Sequence, residues 1–162
     1  MIVDLTLGAG LGGDATNDTL ISIENVTGSS FADSLIGNLS ANVLNGGGGA
    51  DTLTGNGGAD TFRYDATADS TGSASDAILD FTPGTDTIDL SRIDADTIAA
   101  GDQAFSFIGS AAFGNIAGQL RAFQSGGEWI VEGDTNGDGL ADMVIALTLQ
   151  GPTPLGAGDF ML

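Results

Sequence analysis

The chain has 162 residues, enough for one domain or two small units on a shared core, and sets three arginines against 22 carboxylates for a formal net charge of −19. With no lysine and no basic cluster it offers nothing to a nucleic acid or an anionic membrane surface, and its charge points toward cations instead. The absence of histidine, cysteine and lysine removes His-Glu-x-x-His metal centres, Ser-His-Asp relays, thiol catalysis, disulfides and Schiff bases.

Carboxylate pairs for glycoside hydrolysis remain formally available. No motif supports them, so the chain reads as non-enzymatic. No stretch approaches the roughly 18 apolar residues of a membrane helix, which argues against membrane insertion. Met1-Ile2-Val3-Asp4-Leu5 lacks the basic start and long apolar core of a cleavable secretory signal. The expectation is a cytosolic protein, an internal piece of a longer chain, or export by an uncleaved signal.

The first element is a strand-like run, Ile2–Leu7, followed by Gly8-Ala9-Gly10-Leu11-Gly12-Gly13, which fits G-x-G-x-x-G. Dinucleotide binding needs an amphipathic helix next, with its N-terminus on the pyrophosphate. Here the next residues are Asp14-Ala15-Thr16-Asn17-Asp18-Thr19, poor in helix formers and bearing two anions where phosphate would sit. The motif is rejected.

From Gly28 the chain divides into four blocks of nine: GSSFADSLI, GNLSANVLN, GGGGADTLT and GNGGADTFR. Gly28, Gly37, Gly46 and Gly55 open them; Asp33, Asn42, Asp51 and Asp60 hold the sixth position; Leu35, Leu44, Leu53 and Phe62 hold the eighth. Glu24 and Val26 extend the register upstream, and Asp69 continues the acidic position downstream. An x-apolar-x segment is a three-residue strand whose middle side chain points inward. The residues before it form a turn, where glycine permits positive φ and close backbone approach.

Two strand-turn units make one coil, so turns 18 residues apart stack at about the 4.8 Å strand spacing. This spacing puts Asp33, Asp51 and Asp69 on one edge and Asn42 and Asp60 on the other. Stacked carboxylates repel and call for a cation. Ca2+ suits, because it takes oxygen ligands and accepts the carbonyls that glycine turns expose, whereas soft metals lack nitrogen or sulfur here. A flexible glycine linker would not place an apolar residue at every ninth position behind a carboxylate.

The blocks resemble the RTX calcium-binding nonapeptide G-G-x-G-x-D-x-U-x. Gly46 to Thr54 matches at every defined position, and Gly55 to Arg63 departs only at Asn56. The two upstream blocks are degenerate, with Phe31 and Ser40 in place of the second turn glycine and Asn42 in place of an aspartate. The metal ligands expected are therefore Asp33, Gly46, Gly47, Gly49, Asp51, Gly55, Asn56, Gly58 and Asp60, with Asn42 weaker. Strong sites should cluster near residues 46 to 80, with the N-terminal edge weaker or empty.

Past residue 63, Thr61-Phe62-Arg63-Tyr64, Asp76-Ala77-Ile78-Leu79-Asp80-Phe81 and Gly84-Thr85-Asp86-Thr87-Ile88-Asp89-Leu90-Ser91 resemble the C-terminal domain of serralysin-type secreted metalloproteases. That resemblance implies that Asp69 and Asp80 are the last calcium ligands of the roll. Asp69 also fits the 18-residue register, whereas Asp80 rests on the resemblance alone. Apolar runs at Thr87–Leu90, Ala104–Ile108, Gln119–Phe123, Trp129–Glu132 and Met143–Leu149, separated by Gly, Asn and Asp turns, predict an antiparallel cap on the end of the roll. Ile93 to Ala100 predicts one or two helical turns. The fold expected is all-β: a parallel β-roll over 28–72, flanked by 1–27 and capped by an antiparallel sheet or sandwich over 73–162.

Asp134-Thr135-Asn136-Gly137-Asp138-Gly139, followed by Asp142, has the spacing of the front half of a calcium loop. Its twelfth position is Ile145, where an EF-hand needs a glutamate, so it is not an EF-hand. Asn-Gly and Asp-Gly favour a plain hairpin turn, with Asp134, Asn136, Asp138 and Asp142 as weaker metal candidates. The last residues, Asp159-Phe160-Met161-Leu162, resemble the uncleaved export signal of the same family.

These readings converge on a secreted, extracellular module that folds on binding Ca2+ and engages a type I secretion machinery through its C-terminus. The alternatives are a calcium-dependent binder of an alginate-like polysaccharide, which the net charge disfavours, and a small standalone matrix or adhesin protein.

Overall fold

The structure is a computed structural model that describes residues 1–162. Its fourteen strands are β1 (Ile2–Asp4), β2 (Ala9–Leu11), β3 (Asn25–Thr27), β4 (Ser34–Ile36), β5 (Val43–Asn45), β6 (Thr52–Thr54), β7 (Thr61–Arg63), β8 (Asp76–Phe81), β9 (Thr87–Asp89), β10 (Ser106–Phe107), β11 (Gln119–Ser125), β12 (Glu128–Asp134), β13 (Met143–Leu149) and β14 (Phe160–Met161). The only helical segments are three-residue 3-10 turns, so the chain is all-β as expected.

Each nine-residue block delivers one three-residue strand, and successive strands go to opposite sheets. One sheet runs β10-β11-β12-β13-β8-β6-β4-β1-β2 and the other β14-β9-β7-β5-β3. Parallel pairing sets Leu35 against Leu53 and Leu44 against Phe62, the 18-residue register read from the blocks. Leu35, Leu44, Leu53 and Phe62 are fully buried between the sheets, each contributing roughly 1.5–3 kcal/mol of apolar burial. Ile78 and Ile88 continue the two rows, pairing with Leu53 and Phe62.

The cap is antiparallel where predicted, through β11, β12 and β13. It is not laid across the end of the roll, however. Strand β13 pairs in parallel with β8, so the cap prolongs the hydrogen-bonded sheet of the roll itself. The run Ala104–Ile108 forms only the two-residue strand β10. Ile93 to Ala100 is a chain of turns and bends, with no helix. There Asp96 accepts the N–H groups of Ile98 and Ala99, a local aspartate turn that competes with helix formation. At the N-terminus the rejected glycine motif is strand β2 followed by the 3-10 turn Gly13–Ala15, too short to hold a phosphate.

Candidate metal centre

The turns of the roll stack into two edges. On the first, a ladder runs from backbone nitrogen to carboxylate. The Met1 nitrogen donates to Asp33 Oδ1, Asp33 N–H to Asp51 Oδ1 at 2.8 Å, and Asp51 N–H to Asp76 Oδ1 at 2.9 Å. On the second edge Asn42 N–H donates to Asp60 Oδ1 at 2.8 Å and Asp60 N–H to Asp86 Oδ1 at 3.0 Å. Each aspartate thus spends one oxygen on tying successive coils together.

The other oxygen is the informative one. Asp51, Asp60 and Asp76 are at most 1% exposed, and the Oδ2 atom of each has no hydrogen-bond partner. Leaving a buried carboxylate oxygen unpaired is costly unless something positive meets it. Burial pushes Asp60 up to about 6, with the charges of Asp86 and Asp80 adding to the effect. Burial raises Asp76 to about 7, and the charges of Asp51 and Asp69 reinforce it. Asp51 and Asp86 are raised by burial as well.

The backbone completes the cradle. A Cβ on Gly46 would lie 2.2 Å from Asp51 Oδ2, and one on Gly55 would lie 2.3 Å from Asp60 Oδ2. Those glycines are present because the carboxylate of the same block folds back over them. Gly47, Gly49 and Gly58 take φ of 82°, 126° and 120°, and Asn56 takes the left-handed role of Gly47 at φ 64°, a conformation asparagine tolerates. No three acidic side chains converge on one point. A cation at these edges would therefore draw on turn carbonyls as well as carboxylates, a donor set that fits Ca2+.

The expectation that Asp69 lines the first edge needs correction, and two further rungs join the ladder. Asp69 does not occupy the 18-residue rung below Asp51. The connection is seven residues longer, and Asp76, at a separation of 25, takes that place. Asp69 instead closes the local turn Thr67–Asp69, where its carboxylate accepts the N–H groups of Asp65 and Ala66. Its charge still reaches Asp51 and Asp76. Asp80 belongs to the second edge, where it accepts from Gly55 N–H at 2.9 Å and Asn56 N–H at 2.7 Å. Asp76 and Asp86 were missed as rungs, although Asp76-Ala77-Ile78 and Asp86-Thr87-Ile88 repeat the D-x-apolar entry of Asp51-Thr52-Leu53 and Asp60-Thr61-Phe62. The longer connections break the period while keeping the triplet.

The Asp134 loop joins β12 to β13 and is satisfied internally. Asp134 is fully buried and accepts from the N–H groups of Asn136, Gly137 and Gly139. Asp142 accepts from Thr135 and from the Asn136 amide, and Asp138 from Leu140 N–H. Asp134 and Asp142 thus have donors on both oxygens, unlike the orphaned oxygens of the roll. Asp159 and Phe160 are buried, with Asp159 accepting from Gly84 N–H at 2.7 Å and Gly156 N–H at 2.8 Å.

All three arginines are committed elsewhere: Arg63 and Arg92 to Asp65, and Arg121 to Glu132 between the rings of Phe113 and Phe123. No side-chain cation other than a bound ion is therefore at hand for the edges. No helix is long and apolar enough to cross a membrane.

Comparison with curated proteins found no match. Among solved structures, the chain is similar to the AlgE6R3 subunit from the Azotobacter vinelandii mannuronan C5-epimerase, solved in solution. The identity is 26% over 76% of this chain and 68% of that one, with a TM-score of 0.47. The family described as the peptidase M10 serralysin C terminal matches residues 4–160, nearly the whole length. The chain belongs to the serralysin C-terminal family.

Proposed function

We propose that this chain is a non-catalytic module that folds on binding Ca2+ at the edges of the roll and so supports type I secretion and extracellular folding of a protein to which it is attached. The observation that carries the proposal is the pair of buried carboxylate oxygens, on Asp51 and Asp60, that accept no hydrogen bond, with Asp76 buried in the same ladder against the Tyr64 hydroxyl alone. Asp69 and Asp80 stand beside them and add negative charge. Ca2+ would supply the missing positive charge and draw successive turns together. Where Ca2+ is scarce, the edge charges and the net charge of −19 oppose compaction, and the chain stays extended enough to thread a channel. Where Ca2+ is near the millimolar range of extracellular modules, its binding energy becomes folding energy.

The burial of Asp159 and Phe160 supports the same order of events. A C-terminal export signal made of these residues is readable in the unfolded chain and hidden once β14 has paired with β9.

Far-UV circular dichroism during a calcium titration from a chelated start tests the proposal, with magnesium as the control. A cooperative gain of β signal in calcium alone is expected. A chain already folded in chelator and unmoved by millimolar calcium overturns the folding switch.

A further inference from the structure

The four turns of the roll are built in two ways, and the difference lies in where one backbone N–H goes. In the first turn the N–H of the second residue, Ser29, donates to the sixth residue of its own block, Asp33 Oδ2, at 2.5 Å. The Ser29 hydroxyl adds a second bond to the same oxygen at 2.8 Å. In the second turn Asn38 N–H donates likewise to Asn42 Oδ1 at 2.7 Å. In the third turn the equivalent N–H, of Gly47, goes to the Asn45 side chain at 2.8 Å. In the fourth, that of Asn56 goes to Asp80 Oδ2 at 2.7 Å. The Oδ2 atoms of Asp51 and Asp60 are left without a donor in consequence.

Backbone conformation divides the turns in the same way. The second and fourth residues of the third and fourth turns, Gly47 with Gly49 and Asn56 with Gly58, all have positive φ. The corresponding residues of the first two turns, Ser29 with Phe31 and Asn38 with Ser40, do not. Where the second residue has positive φ its N–H points away from its own carboxylate, and where it does not the N–H meets the sixth side chain of its own block. The first two turns therefore close on themselves with hydrogen bonds: Ser29 occupies Asp33 Oδ2 while the Met1 nitrogen occupies Oδ1, and the sixth position of the second turn is the uncharged amide of Asn42.

We infer that cation loading in this chain is confined to the turns 46–51 and 55–60, and that turns 28–33 and 37–42 are cation-independent because Ser29 and Asn38 donate where the ion would bind. The inference rests on the calcium reading proposed above. It also makes the roll polar: one end is held by hydrogen bonds in any medium, and the other is held only when the ion is supplied.

Counting bound calcium per chain, by equilibrium dialysis at saturating calcium and atomic absorption, tests this with three variants of the full chain. Asp33→Asn should bind as many ions as the natural sequence. The double variant Ser29→Gly/Phe31→Gly, which removes the hydroxyl donor and frees both φ angles while keeping Asp33, should bind one more. Asp60→Asn should bind one fewer. Loss of an ion in Asp33→Asn, or no gain in the double variant, overturns the inference while leaving calcium binding intact. A natural chain that binds no calcium, or an Asp60→Asn variant with an undiminished count, overturns the underlying calcium reading instead. The Asp33→Asn arm decides the matter even where the double variant fails to fold.

Discussion

Replacing Asp76 by asparagine should stabilise the calcium-free chain at neutral pH and weaken the calcium-loaded one. Asp76 is fully buried, with Oδ1 holding the Asp51 N–H at 2.9 Å, Oδ2 without a well-aligned donor, and the buried Tyr64 hydroxyl as its one side-chain neighbour that lowers the shift. Burial raises its carboxyl from 3.8 to about 7, aided by Asp51 and Asp69. At about 1.4 kcal/mol per pH unit, keeping it ionised in the calcium-free fold costs on the order of 4 kcal/mol. Relaxation and water entry reduce that to about 2 kcal/mol. In a chain of this size that corresponds to about 4–8 °C in melting temperature.

Asparagine keeps the shape and the Oδ1 acceptor but carries no charge. Because the folded-state value is raised, the calcium-free fold holds more protons than the unfolded chain between about pH 4 and 7, and its stability falls as pH rises through that window. Thermal melts followed by circular dichroism in chelator should therefore show the variant about 4–8 °C above the natural chain at pH 8, with the gap narrowing as the pH falls and closing near pH 4. In saturating calcium the order should reverse. Coincident melts at pH 8 in chelator, or a less stable variant there, would refute the claim that an unmet charge at Asp76 opposes the calcium-free fold.

Further outcomes follow from the same geometry. Gly46→Ala and Gly55→Ala place a methyl group 2.2–2.3 Å from the carboxylate of their own block, and each should weaken calcium binding about tenfold or more in a titration, as expected for a loss of at least about 1.4 kcal/mol. Phe62→Ala removes a fully buried ring that packs 6.0 Å from Phe81; urea melts in saturating calcium should show a loss of about 3–5 kcal/mol. Asp134→Ala strands three N–H groups and should cost about 2 kcal/mol or more by the same melts, while leaving the number of bound calcium ions unchanged. Lowering the pH from 8 to 5 should weaken calcium binding, read as a rising midpoint in the circular dichroism titration. Protons then compete for Asp60 and Asp76, which are raised to about 6 and about 7.

The roll was legible because its physics is local. An apolar residue in a three-residue strand has to face inward, and a glycine recurring every nine residues has to turn the chain, so the sequence alone places Leu35, Leu44, Leu53 and Phe62. The glycine that opens each block was legible for the same reason, although the close approach that requires it, Asp51 Oδ2 where a Cβ on Gly46 would sit, is not. Beyond Arg63 the period lapses. Asp69 kept the arithmetic of the repeat but not its place, because an extra turn, Thr67–Asp69, lengthens the connection and hands the rung to Asp76. Ile93 to Ala100 misled in another way: its aspartates bond to nearby backbone N–H groups and hold turns instead of a helix.

By itself, then, the sequence determined the all-β class, the two-strand coil with its 18-residue register, the inward rows and the acidic edges, each set by side-chain alternation and glycine conformation within a few residues. Tertiary structure decided which carboxylates share an edge, that the cap prolongs the sheet of the roll through β13 and β8, and which oxygens are left without a donor. Those outcomes depend on where backbone N–H groups from distant coils point, Asp51 toward Asp76 and Asn56 toward Asp80. A hydrogen bond across 24 or 25 residues leaves no periodic trace in a chain whose connecting loops differ in length.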